Sequence, residues 1–125
     1  MFLPWTLAAC VGEVATDEVE LRGGWSDGPY VLVVSESLAY FGDTCVIGAE
    51  LDGPYVATAG VFSWSGTTVE NASGSAVRAV VLEGTVDEDE TITAALRYAD
   101  ESTPFVDAVL TPDDISYATL EFCEG

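Results

Sequence analysis

Thr91-Ile92-Thr93-Ala94-Ala95-Leu96-Arg97-Tyr98-Ala99 is the stretch on which the fold class turns. Its three alanines do not make it a helix. Ile92, Ala94, Leu96 and Tyr98 alternate with Thr91, Thr93, Ala95 and Arg97, a period of two that sends one set to a core and the other to water. The segment is a strand.

Working outward, the chain reads as short β-rich runs separated by Gly, Pro, Asp and Ser. Val, Ile, Thr, Tyr and Phe dominate the runs 14–22, 30–38, 44–51, 55–64, 76–83, 91–99, 105–110 and 115–123. Val86 to Glu90 is a polar connection, and no segment reads as a helix. The expected class is therefore all-β: a single antiparallel β-sandwich (immunoglobulin-like) of about seven or eight strands, with a small β-barrel as the alternative.

The pentapeptide Asp27-Gly28-Pro29-Tyr30-Val31 returns 25 residues later as Asp52-Gly53-Pro54-Tyr55-Val56, and Pro104-Phe105-Val106 is a degenerate echo. Asp-Gly-Pro is turn chemistry, because Gly supplies unusual backbone angles and Pro fixes φ. Outside the pentapeptide the two units do not align, so the repeat is read as a turn used twice in a hairpin rhythm. It is not read as a solenoid.

The 125-residue chain has the length of one domain, and 49% hydrophobic residues suffice for a core. Twenty-two carboxylates face only Arg22, Arg78 and Arg97, giving a net charge of -19. Three arginines cannot build a nucleic-acid surface, and anionic headgroups are repelled for the same reason. The acidity implies either a solvated acidic surface or adaptation to high salt or divalent cations.

The chain opens Met-Phe-Leu-Pro-Trp-Thr-Leu-Ala-Ala-Cys, and Leu7-Ala8-Ala9-Cys10 resembles the lipobox of prokaryotic lipoproteins. That resemblance implies lipid on Cys10, residues 1–9 as a signal-peptide remnant, 10–18 as a tether and 19–125 as the β-domain. It implies an extracytoplasmic location, in the periplasm or at the cell surface, with the membrane as a partner through the anchor. The run-in carries no Lys or Arg, and an ordinary apolar N-terminal strand is the other reading of these residues. Outside the cytoplasm, Cys45 and Cys123 would remain as a pair for a structural disulfide, worth about 4.5 kcal/mol by loop entropy. In a cytosolic protein all three would be thiols.

The sequence holds no His and no Lys, which removes most general-base and nucleophile arrangements, so no catalytic residue is assigned. Asp87-Glu88-Asp89-Glu90 and Asp113-Asp114 are candidate calcium ligands, set against their reading as solvated turns. No other cofactor is expected. Tyr55, Phe62 and Trp64 are candidates for an apolar face that takes a protein or glycan partner, set against burial in the domain. Tyr30 to Val34 is likewise apolar on both faces, which a covering loop or the centre of a sandwich would explain, set against an exposed face for a partner or glycan. The functional expectation is non-catalytic: a binding or adhesion module, or else a structural cell-envelope protein without a specific ligand.

Overall fold

The computed structural model describes residues 18–43, 48–69 and 77–120, and places Thr91's run where its alternation requires. Ile92, Ala94 and Leu96 are buried while Thr93 is exposed. Ten strands occur among the described residues. They are β1 (Glu18–Glu20), β2 (Gly23–Asp27), β3 (Tyr30–Val34), β4 (Ala39–Gly42), β5 (Gly48–Leu51), β6 (Val56–Thr58), β7 (Val61–Thr68), β8 (Ala79–Val86), β9 (Ile92–Tyr98) and β10 (Val106–Asp113). One 3-10 turn, Tyr117–Thr119, follows them. No helix among the described residues is long and apolar enough to cross a membrane.

The sheet is a closed barrel. Its order runs β7-β5-β4-β3-β2-β10-β9-β8, every pair is antiparallel, and β7 pairs again with β8 from Val61↔Thr85 to Thr67↔Ala79. These eight strands form the ring, while β1 and β6 add a flap beside β7. The expected sandwich is thereby corrected to the alternative, a small barrel. Closure leaves no ring strand with an open edge, whereas two stacked sheets would each have two.

Inward-facing residues fill the ring: Leu32, Phe41, Leu82, Ile92, Leu96 and Leu110 are all fully buried. Glycines allow the tight corners this needs. Phe62 lies directly across from Gly84, where a Cβ would come 2.6 Å from the ring's Cζ and 2.6 Å from the Thr93 carbonyl. Gly66 sits against the Glu50 carbonyl of β5 too closely for any side chain.

Several strand boundaries differ from expectation. Of the run 14–22, the described residues 18–22 contribute β1, and β2 forms from Gly-Gly-Trp-Ser-Asp, a sequence with little strand propensity. Tertiary pairing with β3 and β10 on both sides holds it extended. The run 30–38 ends at Val34, and a separate strand begins at Ala39 after the Ser35–Leu38 backbone bond of 2.8 Å. The run 55–64 is cut by a two-residue hairpin turn at Ala59-Gly60, whose φ values of 53° and 78° suit a primed turn. The expected strand 115–123 is replaced, as far as Leu120, by a covering segment. Ile115 lies over Gly24, and Tyr117 meets the Tyr40 ring edge-on at 5.9 Å. That cover explains the two-sided apolarity of β3 and β4. Val33 and Tyr40 are buried on the outer phase, opposite to Leu32 and Phe41.

The two DGPYV copies do not do the same work. Asp27 pairs with Tyr30 across a two-residue hairpin, with Gly28 at φ 57°. The second copy joins β5 to β6, which both run antiparallel to β7 on the same side, so the chain bends there without reversing. The Gly53-Pro54 bond is cis.

Candidate functional site

One end of the barrel is not sealed by its own strands. Beyond Val86, β8 and β9 are joined by a turn shaped by one carboxylate. Asp87 Oδ1 accepts the backbone N–H groups of Asp89 and Thr91, both at 2.9 Å. Here Asp87 holds the turn that sequence reading offered as a calcium loop. Glu90 closes the turn with φ 63°, and its carbonyl accepts the indole N–H of Trp25 at 2.8 Å. A few residues away, Val86 N–H donates to the Gly60 carbonyl at 2.8 Å. The β8–β9 turn is thus fastened to β2 on one side and to the β6–β7 turn on the other.

The flap supplies the opposite wall. β1 pairs with β6 from Glu18↔Thr58 to Glu20↔Val56, and Leu21 N–H then donates to the Tyr55 carbonyl at 2.9 Å. Because β1 continues into β2 through Leu21 and Arg22, the chain crosses the barrel end and leaves a mouth of about 690 Å³ between flap and turn. Val19, Leu21, Trp25, Ala57 and Val86 give it apolar walls. Glu20, Asp87, Glu88 and Glu90 bring acidic residues to it, with Arg22 as its one cation. Arg22 is engaged: its guanidinium lies 3.4 Å from Glu20 and donates to the Leu21 carbonyl at 3.0 Å.

Backbone conformation marks the same place. Among the described residues, the two non-glycine residues with positive φ are Ala59 and Glu90, and both line this mouth. An L-residue in that region costs about 1–2 kcal/mol, and such outliers gather at ligand clamps.

The other candidates fall elsewhere. Tyr55, Phe62 and Trp64 lie in the core, 6%, 3% and 4% exposed. Tyr55 meets Trp64 edge-on at 5.5 Å and donates its hydroxyl to the Leu51 carbonyl at 2.5 Å. Trp64 donates its indole N–H to Val56 at 3.1 Å, in the gap the bend opens beside β7. Burial holds the Tyr55 phenol above its ordinary pKa, and burial with the nearby Asp43 does the same to Tyr40. Asp113 accepts the Ser26 hydroxyl at 2.7 Å and the Asp114 N–H at 2.8 Å, so its carboxylate also serves a turn. Among the described residues, no three His, Cys, Asp or Glu side chains are grouped to hold a metal ion. Cys10, Cys45 and Cys123 lie outside the described residues.

The remaining arginines hold structure. Arg97 bonds Glu83 at 3.1 Å and the Glu101 carbonyl at 3.1 Å, pinning the β9–β10 loop. Arg78 reaches Asp100 at 3.3 Å and lies 3.5 Å over the Tyr98 ring, which stacks on Phe105. Sequence reasoning noted Asp87 to Glu90 but missed Arg22, Trp25 and Ala59, because only the flap crossing brings them opposite that turn. No protein-family model matches the chain, and no curated protein and no solved structure matches it.

Proposed function

We propose that this is a non-catalytic binding domain that takes a small, largely apolar ligand into the mouth of its barrel. It is held outside the cytoplasm by lipid on Cys10. The observation that carries the binding reading is the mouth itself. A recess of about 690 Å³ with apolar walls, fixed by hydrogen bonds on two sides, has the size and lining of small-molecule sites. The absence of His and Lys from the sequence supports a non-catalytic role. Leu7-Ala8-Ala9-Cys10 supports the anchor.

The test is uptake of the neutral apolar fluorophore N-phenyl-1-naphthylamine. Its emission rises with saturation in the wild-type domain and is lost in Val19→Trp, a substitution at an exposed wall position that leaves the melting temperature unchanged. Uptake that survives Val19→Trp removes the mouth as the site. For the anchor, Cys10→Ser moves the folded protein from the membrane fraction to the soluble fraction, and unchanged membrane association overturns the lipidation reading.

A structural cell-envelope role is the second reading. It is favoured by the burial of Tyr55, Phe62 and Trp64 in one core rather than on a recognition face. A mouth that takes up no apolar probe leaves that reading in place.

A further inference from the structure

The charge around the mouth narrows the ligand class, given the reading of the mouth as a binding site. Its lining includes four acidic residues, Glu20, Asp87, Glu88 and Glu90, against the single basic residue Arg22, and one of the four carboxylates, that of Asp87, also holds the turn. The Arg22 guanidinium already faces Glu20 at 3.4 Å. An anionic ligand would have to compete with Glu20 for the one cation while approaching a chain of net charge -19. A cationic one meets no such opposition. Its apolar body can lie against Trp25, Leu21 and Val86 while its charge stays at the acidic, hydrated rim.

We infer that the mouth selects small organic cations, an apolar body bearing an ammonium group, over neutral or anionic molecules of the same shape. The net charge draws such cations toward the domain, and the exposed rim carboxylates keep the ammonium hydrated, so no buried ion pair has to form. Arg22, the one cation at the lip, is already engaged by Glu20 and by the Leu21 carbonyl and does not offset the surrounding acids. The balance at the mouth is therefore acidic.

The experiment uses one naphthalene body with three headgroups: (1-naphthylmethyl)trimethylammonium, 1-naphthalenemethanol and 1-naphthylacetate. Each is titrated into the domain at low salt by calorimetry and by the Trp25 indole N–H resonance. The cation is expected to bind about tenfold tighter than the alcohol, and the acetate more weakly than either. Raising sodium chloride from 0.05 to 0.5 M erodes the cation's advantage. Glu20→Gln with Glu88→Gln lowers the cation's affinity about fivefold and leaves the alcohol's unchanged. Asp87 is kept because it shapes the turn. An alcohol that binds as tightly as the cation, or an acetate that binds tightest, overturns the charge inference and leaves the mouth as a site. No Trp25 shift with any of the three overturns the site itself.

Discussion

Asp-Gly-Pro-Tyr-Val occurs twice, and the two copies have opposite consequences for the chain. At Asp27 to Val31 it reverses direction between β2 and β3, with Tyr30 half-buried and stacked on Phe41 at 6.3 Å. At Asp52 to Val56 it bends the chain between β5 and β6, with Tyr55 driven into the core against Trp64. Different partners explain the difference. Around the first copy, the flanking strands pair with each other. Around the second, Asp52 N–H donates to the Ser65 carbonyl at 2.8 Å and the Tyr55 carbonyl accepts Leu21 at 2.9 Å, so β7 and the flap hold the chain on course. A turn motif specifies a bend; its neighbours decide whether the bend is a reversal.

The largest separation between the copies is expected at their tyrosines. Tyr55→Ala removes a buried ring, with its edge contact to Trp64 and its bond to Leu51, and costs about 4 kcal/mol. Tyr30→Ala costs about 1–2 kcal/mol, because its ring is only partly buried. Urea denaturation of both variants measures this, and equal losses would erase the distinction.

The glycines should show the opposite order. Gly28 has φ 57° with nothing near its missing Cβ, so Gly28→Ala costs about 1 kcal/mol through backbone strain alone. A Cβ on Gly53 would only touch the Tyr55 ring at 3.5 Å, an ordinary contact, and Gly53→Ala stays within about 0.5 kcal/mol. Thermal melting resolves the pair. A larger loss at Gly53 would place a backbone demand at the second copy that its φ does not show.

Alkaline pH sharpens the second copy further. Burial raises the folded-state pKa of Tyr55, so its phenol stays neutral in the fold where the unfolded chain has begun to ionise. The stability this confers is complete below about pH 10 and is lost as pH rises from there through the folded value. Tyr55→Phe costs about 1 kcal/mol near neutral pH through the lost hydrogen bond, and flattens part of the decline above pH 10. The slope that remains includes Tyr40, raised by burial and by Asp43. An unchanged slope in Tyr55→Phe would mean that its phenol ionises alike in both states.

The smallest effects belong to the aspartates. Asp27→Asn and Asp52→Asn each remove one of 22 carboxylates from an exposed site, and each changes stability by less than about 0.5 kcal/mol. Both variants share the salt response of the parent. The melting temperature rises between about 0.1 and 1 M sodium chloride as the Debye length falls from about 10 to 3 Å. A flat response would show that local packing, not net charge, sets the stability. Calcium at equal ionic strength should do no more than sodium unless a specific site exists.

Much of the fold could be read from residue order. The alternation at Thr91 to Ala99 gave its strand correctly, whereas the two-sided apolarity of Tyr30 to Val34 left a covering loop, a sandwich centre and an exposed face open until Ile115 and Tyr117 were seen to supply a cover. Gly-Gly-Trp-Ser-Asp at 23–27 carried no such signal, since its extension comes from β3 and β10. Ala59 in a primed turn was invisible for a related reason. Asn-Gly announces that turn and Ala-Gly does not.

Composition and periodicity by themselves determined the all-β class and the strong net negative charge, and left open whether Tyr55, Phe62 and Trp64 fill the core. These are sums and alternations, which survive any arrangement of the strands. Tertiary structure alone decided that β7 meets β8 to close a barrel, that one DGPYV reverses and the other bends, and that Leu21 and Arg22 cross the barrel end to face Asp87 to Glu90. Each of those depends on hydrogen bonds between residues far apart in the chain. A backbone donor has no sequence code for its partner; it takes the one that packing brings within reach.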